Sequence, residues 1–473
     1  MGTKYLFFYI LILIIPLTSF GKKKEKTGAI TDSTQIVINS IFVGGNKKTK
    51  EKIILRELIF KRGDTIYQEQ LENLIAKSKE NLLNTSLFNY ITINTIEEGK
   101  GFINVYVLVE ERWYLWPYII LEQADRNLSA FLYNKEWSRI NYGLMLVKNN
   151  FRGRGETLKL KFRMGYKEQF QLAYSIPYIG KSRQHGLSAE FSWYRQHEVY
   201  YLTQNNKQVF YKNSSLYISK AHSTKLSYQF RNKYYLRHNI SAIYSYTQVD
   251  DTVIELNSNY FGKPVNNTQY LSFVYNLSLD KRNYKHYPLT GYNFELTFTQ
   301  KGFNLLQNEI EGVWEVESLA YYYKDFSDRW YSGFGARGKI SSNHKQPYFI
   351  EQALGYNTYL RSFEYNVIDG QSFITGRAFL KYAIIPMTIK HIENWGWTKF
   401  NKIHYSLFVN AFFDSGFVHD IMPHPTNTLT NTFLASAGIG IDLVAYYDQI
   451  IRFEYSFNRF KQHGFFIHLK KAF

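Results

Sequence analysis

The residues able to do chemistry are few, and they point to electrostatics more than to catalysis. The chain has no cysteine, which excludes thiolate nucleophiles and disulfide staples. It carries no Gly-x-Ser-x-Gly elbow, no phosphate-cradling loop ending in Lys-Ser/Thr and no His-Glu-x-x-His, the spacings that ester hydrolysis, nucleotide binding and zinc-assisted hydrolysis require. His419 and His424 in "HDIMPHP" give two nitrogen donors on one loop, short of a metal's ligand set. No enzyme activity, cofactor or metal is expected. One cation stands apart. Arg361 lies in "LGYNTYLRSFEYNVIDGQSF", a long loop between strand-like stretches, and its planar fork matches a carboxylate bidentately. In "FVNAFFDSGFV", alternation sends Leu407, Val409, Ala411 and Phe413 to one face and Asn410, Phe412 and Asp414 to the other.

The scaffold that positions such groups can be read from composition. Among 473 residues, 41 are Tyr and 37 Phe, and the formal charge is +18. This aromatic excess without long apolar runs indicates strands. The basic residues are dispersed among them, so a nucleic-acid surface is not expected. Residues 1–21, with Lys4 and the apolar run "YLFFYILILIIPL", have the form of a signal peptide, and 22–33 form a basic linker. No other segment has the ~20 apolar residues of a spanning helix. A membrane location therefore demands a closed barrel, in which every backbone group is paired.

Residues 34–112 read as a small α+β domain of order βααββ. From about Trp113 the helical signal ends and alternation takes over. "GETLKLKFRMG" sends Leu158, Leu160, Phe162 and Met164 one way and Lys159, Lys161 and Arg163 the other, and "IIRFEYSFN" sets Phe453, Tyr455 and Phe457 against Arg452 and Glu454. One face suits lipid and the other water. Residues 113–473 hold about sixteen antiparallel strands at on the order of 22 residues per strand and turn. The first strand centres on Leu144 in "NYGLMLVKNN", one lies near Tyr211, and the last is "GFFIHLKKAF", ending on Phe473.

These elements and several local strings resemble the outer-membrane assembly superfamily that includes BamA, TamA, the two-partner secretion transporters and the Sam and Toc organelle pores. Residues 34–112, with the turn "VGGNKKTK", resemble a POTRA domain. "NYGLMLVKNNFRGRGETLKLKF" resembles the first barrel hairpin, and "LDKRNYKHYPLTGYNFEL" resembles the family's Asp-x-Arg followed by Pro-x-x-Gly-Tyr, through Asp280, Arg282, Pro288, Gly291 and Tyr292. The resemblance implies that the sixth loop folds into the lumen, where Arg361 and Phe363 lock against Asp414 and Gly416 of a later strand. Two departures stand out. Ser362 replaces the family's usual glycine, and Lys381 stands on the strand near Ala378 where many members place an inward acid, leaving the loop one acidic partner.

The same resemblance implies a bacterial outer-membrane location with the POTRA-like domain in the periplasm. It further implies partners that are unfolded outer-membrane or secreted proteins, with accessory lipoproteins and the bilayer. A client strand would add at a lateral seam between first and last strands, marked by Leu144, Leu146, Ile467 and Phe473, after augmenting the domain's edge at Tyr90, Thr92 and Asn94. A dedicated two-partner-type secretion pore and a passive porin are the alternatives.

Overall fold

The computed structural model describes residues 34–123, 140–180, 182–213, 215–232, 234–342, 344–391, 402–445 and 448–470. The expected signal peptide and linker, and Phe473, lie outside them. The N-terminal module comprises β1 (Gln35–Gly44), α1 (Glu51–Leu55), β2 (Thr65–Tyr67), α2 (Gln68–Leu83), β3 (Phe88–Glu97) and β4 (Phe102–Glu111). Its sheet runs β2-β1-β4-β3, with β1 parallel to β4. Leu71, Leu74, Ile75 and Leu82 fall at i, i+3 and i+4 spacings, so one stripe of α2 packs on Ile38, Phe88, Val105 and Val107. The extra strand β2, too short to show any alternation, was not foreseen in the order βααββ. It pairs with the start of β1 through Gln35↔Tyr67.

The chain continues through β5 (Leu115–Gln123), β6 (Ile140–Lys148), β7 (Thr157–Gly165), β8 (Lys167–Ile179), β9 (His185–Gln196), β10 (Glu198–Gln204), β11 (Lys207–Lys212), β12 (Ser219–Asn232) and β13 (Leu236–Val249). After helix α3 (Asp251–Leu256) come β14 (Asn267–Asp280), β15 (Gly291–Lys301), β16 (Val313–Asp325), β17 (Trp330–Ser341), β18 (Gln352–Leu354) and β19 (Ile368–Asp369). The last are β20 (Ser372–His391), β21 (Lys402–His419), β22 (Leu434–Ala445), β23 (Gln449–Asn458) and β24 (His463–Lys470). Sixteen of these form one sheet in which sequence neighbours pair antiparallel, interrupted only by the two small ladders β10-β11 and β18-β19. Phe162, Leu226, Phe413 and Phe457 are exposed on its outer face, whereas Asn410, Asp414, Asp442 and Glu454 are buried on the inner one. Among the described residues no helix is long and apolar enough to cross a membrane.

The count of sixteen strands is right through two compensating errors. The segment around Tyr211 is an arm, β10-β11, and takes no place in the wall, because alternation specifies an amphipathic strand without saying which sheet it joins. The first wall strand is β5, which pairs with β6. Leu144 and Leu146 therefore sit on the second strand, between β5 and β7, and do not border the seam. β5 carries Pro117, and proline enters a sheet only at an edge or a bulge.

The module is docked on the turns at one end of the barrel. The "VGGNKKTK" turn is gripped by Glu111, whose carboxylate accepts the Thr49 N–H at 2.6 Å and hydroxyl at 2.7 Å. It is then passed to the β6-β7 turn by Lys50 N–H to Gly153 O at 2.8 Å and Asn150 Nδ2 to Thr49 Oγ1 at 2.8 Å. At Gly153, φ is +73° and a Cβ would lie 2.1 Å from Lys48 O, so this approach needs glycine. Arg231, near the end of β12, donates twice to Glu57, at 2.7 Å each. Arg112 donates to Asp448 at 2.5 Å on the β22-β23 turn, and Asn84 accepts the Lys285 N–H at 3.2 Å on the β14-β15 turn.

Burial alone would raise the Glu57 carboxyl, but the Arg231 charge and its hydrogen bonds outweigh that and hold it below the ordinary 4.5. A depressed carboxylate stabilises the docked state fully above its ordinary value and loses that contribution as pH falls through the lower, docked value. Glu57→Gln strands the buried Arg231 charge and is expected to cost about 3 kcal/mol. Denaturant unfolding at pH 7 and pH 3 checks both: the native chain weakens on acidification below about 4.5, and the variant starts weaker with a smaller acid effect.

Candidate functional site

The loop between β17 and β20 turns back into the lumen. Its short ladder pairs Gln352 with Asp369 and Leu354 with Ile368, and Leu360 and Phe363 on either side of the tip pack with Phe373, Val418 and Leu434 of the wall. This apolar footing delivers Arg361, 8% exposed, to the carboxylates. Its Nε donates to Asp414 Oδ2 at 2.8 Å and its Nη2 to Oδ1 at 2.5 Å. The guanidinium lies 3.6 Å over the Phe412 ring, a geometry that adds cation–π attraction to the ion pair. Ser362 adopts φ +68°, the left-handed conformation that a glycine would take without strain, and its carbonyl accepts Asn458 Nδ2 at 3.1 Å.

The expectation of a single acidic partner is overturned. Arg361 Nη1 also donates to Glu454 Oε1 at 3.2 Å, so the second carboxylate comes from β23. Alternation had placed Glu454 inward, but its approach to Arg361 depends on registers across β21, β22 and β23. Gly440 faces both Asn410 and Glu454 in those ladders, so no side chain intervenes. Lys381 does face inward and is buried. Its ammonium is 3.6 Å from Asp442 Oδ2 and 3.8 Å over the Tyr287 ring, in a second cluster where Arg452 Nε donates to Asp442 at 2.7 Å. Gly416 lies two residues beyond Asp414, and a Cβ there would make ordinary contact, 3.6 Å, with Leu360. It touches no charged member of the lock.

The tip also reaches the last strand. His468 Nε2 on β24 lies 3.1 Å from Glu364 and 3.2 Å from Glu454, and Tyr359 stacks on the His468 ring at 5.7 Å. These three donors lie within 4.8 Å of one another, close enough to hold an ion. Two guanidinium groups, Arg361 at 3.2 Å and Arg452 at 3.8 Å from Glu454, already supply positive charge, which favours a clasp between loop and strand over a cation site. Sequence reading missed His468, although alternation alone puts it opposite Phe465, Ile467 and Leu469.

Asp280 accepts the Arg282 fork at 2.8 and 2.7 Å, where β14 enters the turn that holds Asn84. Gly291 closes that turn with φ +97° and would place a Cβ 2.2 Å from Lys281 O. Tyr90, Thr92 and Asn94 lie on β3, a terminal strand of the module's sheet, opposite Glu110, Leu108 and Tyr106. Ile467 lies on β24, the other end of the wall from β5, and among the described residues no ladder joins β24 to β5.

The module caps one end of the lumen. At the other, the β10-β11 arm binds the loops through Thr203 to Tyr348 at 2.9 Å and Asn206 to Thr428 at 3.1 Å. Between them remains a cavity of about 790 Å³ lined by Arg282, Arg361, Arg377, Lys381, Arg452 and Glu454.

Fold and site together define an outer-membrane β-barrel protein that carries a POTRA module and a loop bound inside its lumen. Residues 150–462 match the Omp85 superfamily domain and residues 36–112 match the POTRA model described as a surface antigen variable number repeat. The chain belongs to the Omp85 superfamily, the family of outer-membrane insertion and secretion proteins. Its fold is similar to that of BamA from Haemophilus ducreyi lacking POTRA domains 1–3, at 14% identity and TM-score 0.52, covering 92% of this chain and 84% of that one. It is also similar to CdiB from Escherichia coli, at 11% identity and TM-score 0.58, covering 92% and 76%. No curated protein matches the sequence.

Arg361→Lys keeps the charge but loses the fork, and Arg361→Ala removes the bidentate partner of buried Asp414, leaving it Arg377 at 3.7 Å, and takes one cation from Glu454; the alanine change is expected to cost about 3 kcal/mol locally. Protease cleavage within residues 354–373 should rise in the order native, Lys, Ala. Gly291→Ala forces the left-handed conformation on alanine and is expected to lose more than about 1 kcal/mol, read as a lower unfolding midpoint in detergent, whereas Gly416→Ala should unfold like the native chain.

Proposed function

We propose that this protein is an outer-membrane assembly or translocation factor that inserts or exports β-rich client proteins by strand pairing at the seam between β5 and β24, with its module on the periplasmic side. The observation that carries this reading is the pairing of two features. The wall ends in two strands with no ladder between them among the described residues, and the lumen beside them is crossed by a tethered loop and capped at both ends. A route through the wall is thus better supported than one along the axis. In lipid, an edge whose N–H and C=O groups face hydrocarbon gains several kcal/mol for each group that finds a partner, so no covalent chemistry is needed to drive a client strand onto it.

The lock couples to that seam. Arg361 ties the loop to β21 and β23, and His468 ties it to β24, so the loop steadies the last strand from within. The β3 edge at Tyr90, Thr92 and Asn94 is the waiting site for an extended client before it reaches the wall. Accessory lipoproteins would dock on the module. A dedicated secretion pore is the second reading, favoured by the 790 Å³ chamber behind the loop.

Two measurements test this. In planar bilayers the intact protein is expected to show small, flickering currents that grow when Arg361→Ala is introduced, whereas a steady large conductance in the native chain would make it a porin. Depletion in the native host with an inventory of envelope proteins separates the rest. Broad loss of other barrels supports the assembly factor, and loss of one exported protein supports the dedicated pore.

A further inference from the structure

The two edges at the seam are not equivalent. The Asn149 N–H donates to Tyr114 O at 2.8 Å, one step before the ladder's Leu115↔Lys148 pair. In an antiparallel ladder bonded and non-bonded pairs alternate, so Trp116, Tyr118 and Ile120 turn their backbone groups toward β6. Leu115, Pro117, Ile119, Leu121 and Gln123 turn theirs outward, to the seam. Two of these five are blunted. Pro117 has no N–H, and Leu115 O accepts the indole N–H of Trp113. Ile119 and Leu121 keep both groups, and at 84% and 75% exposure their side chains are the most exposed large apolar ones among the described residues.

The same parity on β24 gives a different result. The Asn458 N–H donates to Gln462 O at 2.9 Å, in line with Phe457↔His463, so His463, Phe465, Ile467 and Leu469 face the seam, and none is proline. One edge is whole, and the other is whole only over the half farther from the POTRA module.

We propose that Pro117 and Trp113 set where a strand can pair at the seam, confining it to the stretch from Ile119 to Gln123. The occupant is an extended client strand with apolar residues at alternate positions, as the lipid-facing Ile119 and Leu121 demand. This inference rests on the strand-templating reading above and deepens it. An edge blunted over its module-side half resists indefinite zipping by any passing strand, the use natural proteins make of edge prolines. It leaves a short grip that a client can leave again.

The absence of cysteine makes the test direct. Leu115→Cys, Ile119→Cys and Leu121→Cys are made singly in the full chain, reconstituted in lipid vesicles, and checked for a folded barrel by heat-dependent migration. The probe is a synthetic peptide copying residues 463–470 with Ile467→Cys, added under mild oxidation. Disulfide yield at 119 and 121 is expected to exceed that at 115 about fivefold, the ratio that one net hydrogen bond supplies. Adding Pro117→Val with Trp113→Phe should bring position 115 level with the others. Equal yields at all three positions in the otherwise native chain overturn the inference and leave the strand-templating reading standing, as does a yield at 115 that the added substitutions do not move. No cross-link at any position in folded barrels overturns the strand-templating reading and the inference with it.

Discussion

Hydrocarbon offers no hydrogen bonds, so every peptide group in the wall must find its partner in the next strand. That constraint shapes the whole chain. It forces sixteen strands to pair neighbour to neighbour and sets the greasy-out, polar-in alternation. It also concentrates all remaining backbone need at the two terminal strands. The loop, the module and the arm each bear on a wall in which, among the described residues, every strand is laddered to its neighbours except along one line, between β24 and β5.

Management of that line is electrostatic on the inside. Inside the barrel, Asp414, Asp442 and Glu454 of the wall and Glu364 of the loop stand against Arg377, Lys381, Arg452 and His468 of the wall and Arg361 of the loop. Isolated buried ions are costly, and a network in which Asp414, Asp442 and Glu454 each meet more than one cation spreads that cost. Here the network has a direction. It starts on β21, passes through the loop tip and ends on β24, so the ion pairs hold the loop and orient the terminal strand together.

Much of this was legible in the sequence because a strand's two faces have a period of two residues. Alternation alone placed Asp414 and Glu454 inward and Phe413 and Phe457 outward. The family likeness brought Arg361 to Asp414, and Ser362 does take the left-handed conformation that its place demands. What alternation cannot carry is lateral information. That Glu454 reaches Arg361 depends on two ladder registers and on Gly440 between them. That β10-β11 leaves the wall depends on contacts with loops hundreds of residues away. Strand β5 was missed although it carries Pro117, the residue that marks it as an edge. The turns "VGGNKKTK" and "NNFRGRG" were each recognised, but only the coordinates show that they touch, at Thr49 and Asn150.

Between the end of β4 at Glu111 and the start of β5 at Leu115 stand three residues, and two of them are anchored. Arg112 is held by Asp448 and by Phe88 O, and the Tyr114 hydroxyl is held by Leu87 O at 3.0 Å. Such a joint has no slack. A pull on the soluble domain arrives undamped at the foot of the first wall strand, and a tilt of that strand is felt at once below, so the two behave as a single lever with its fulcrum at the rim.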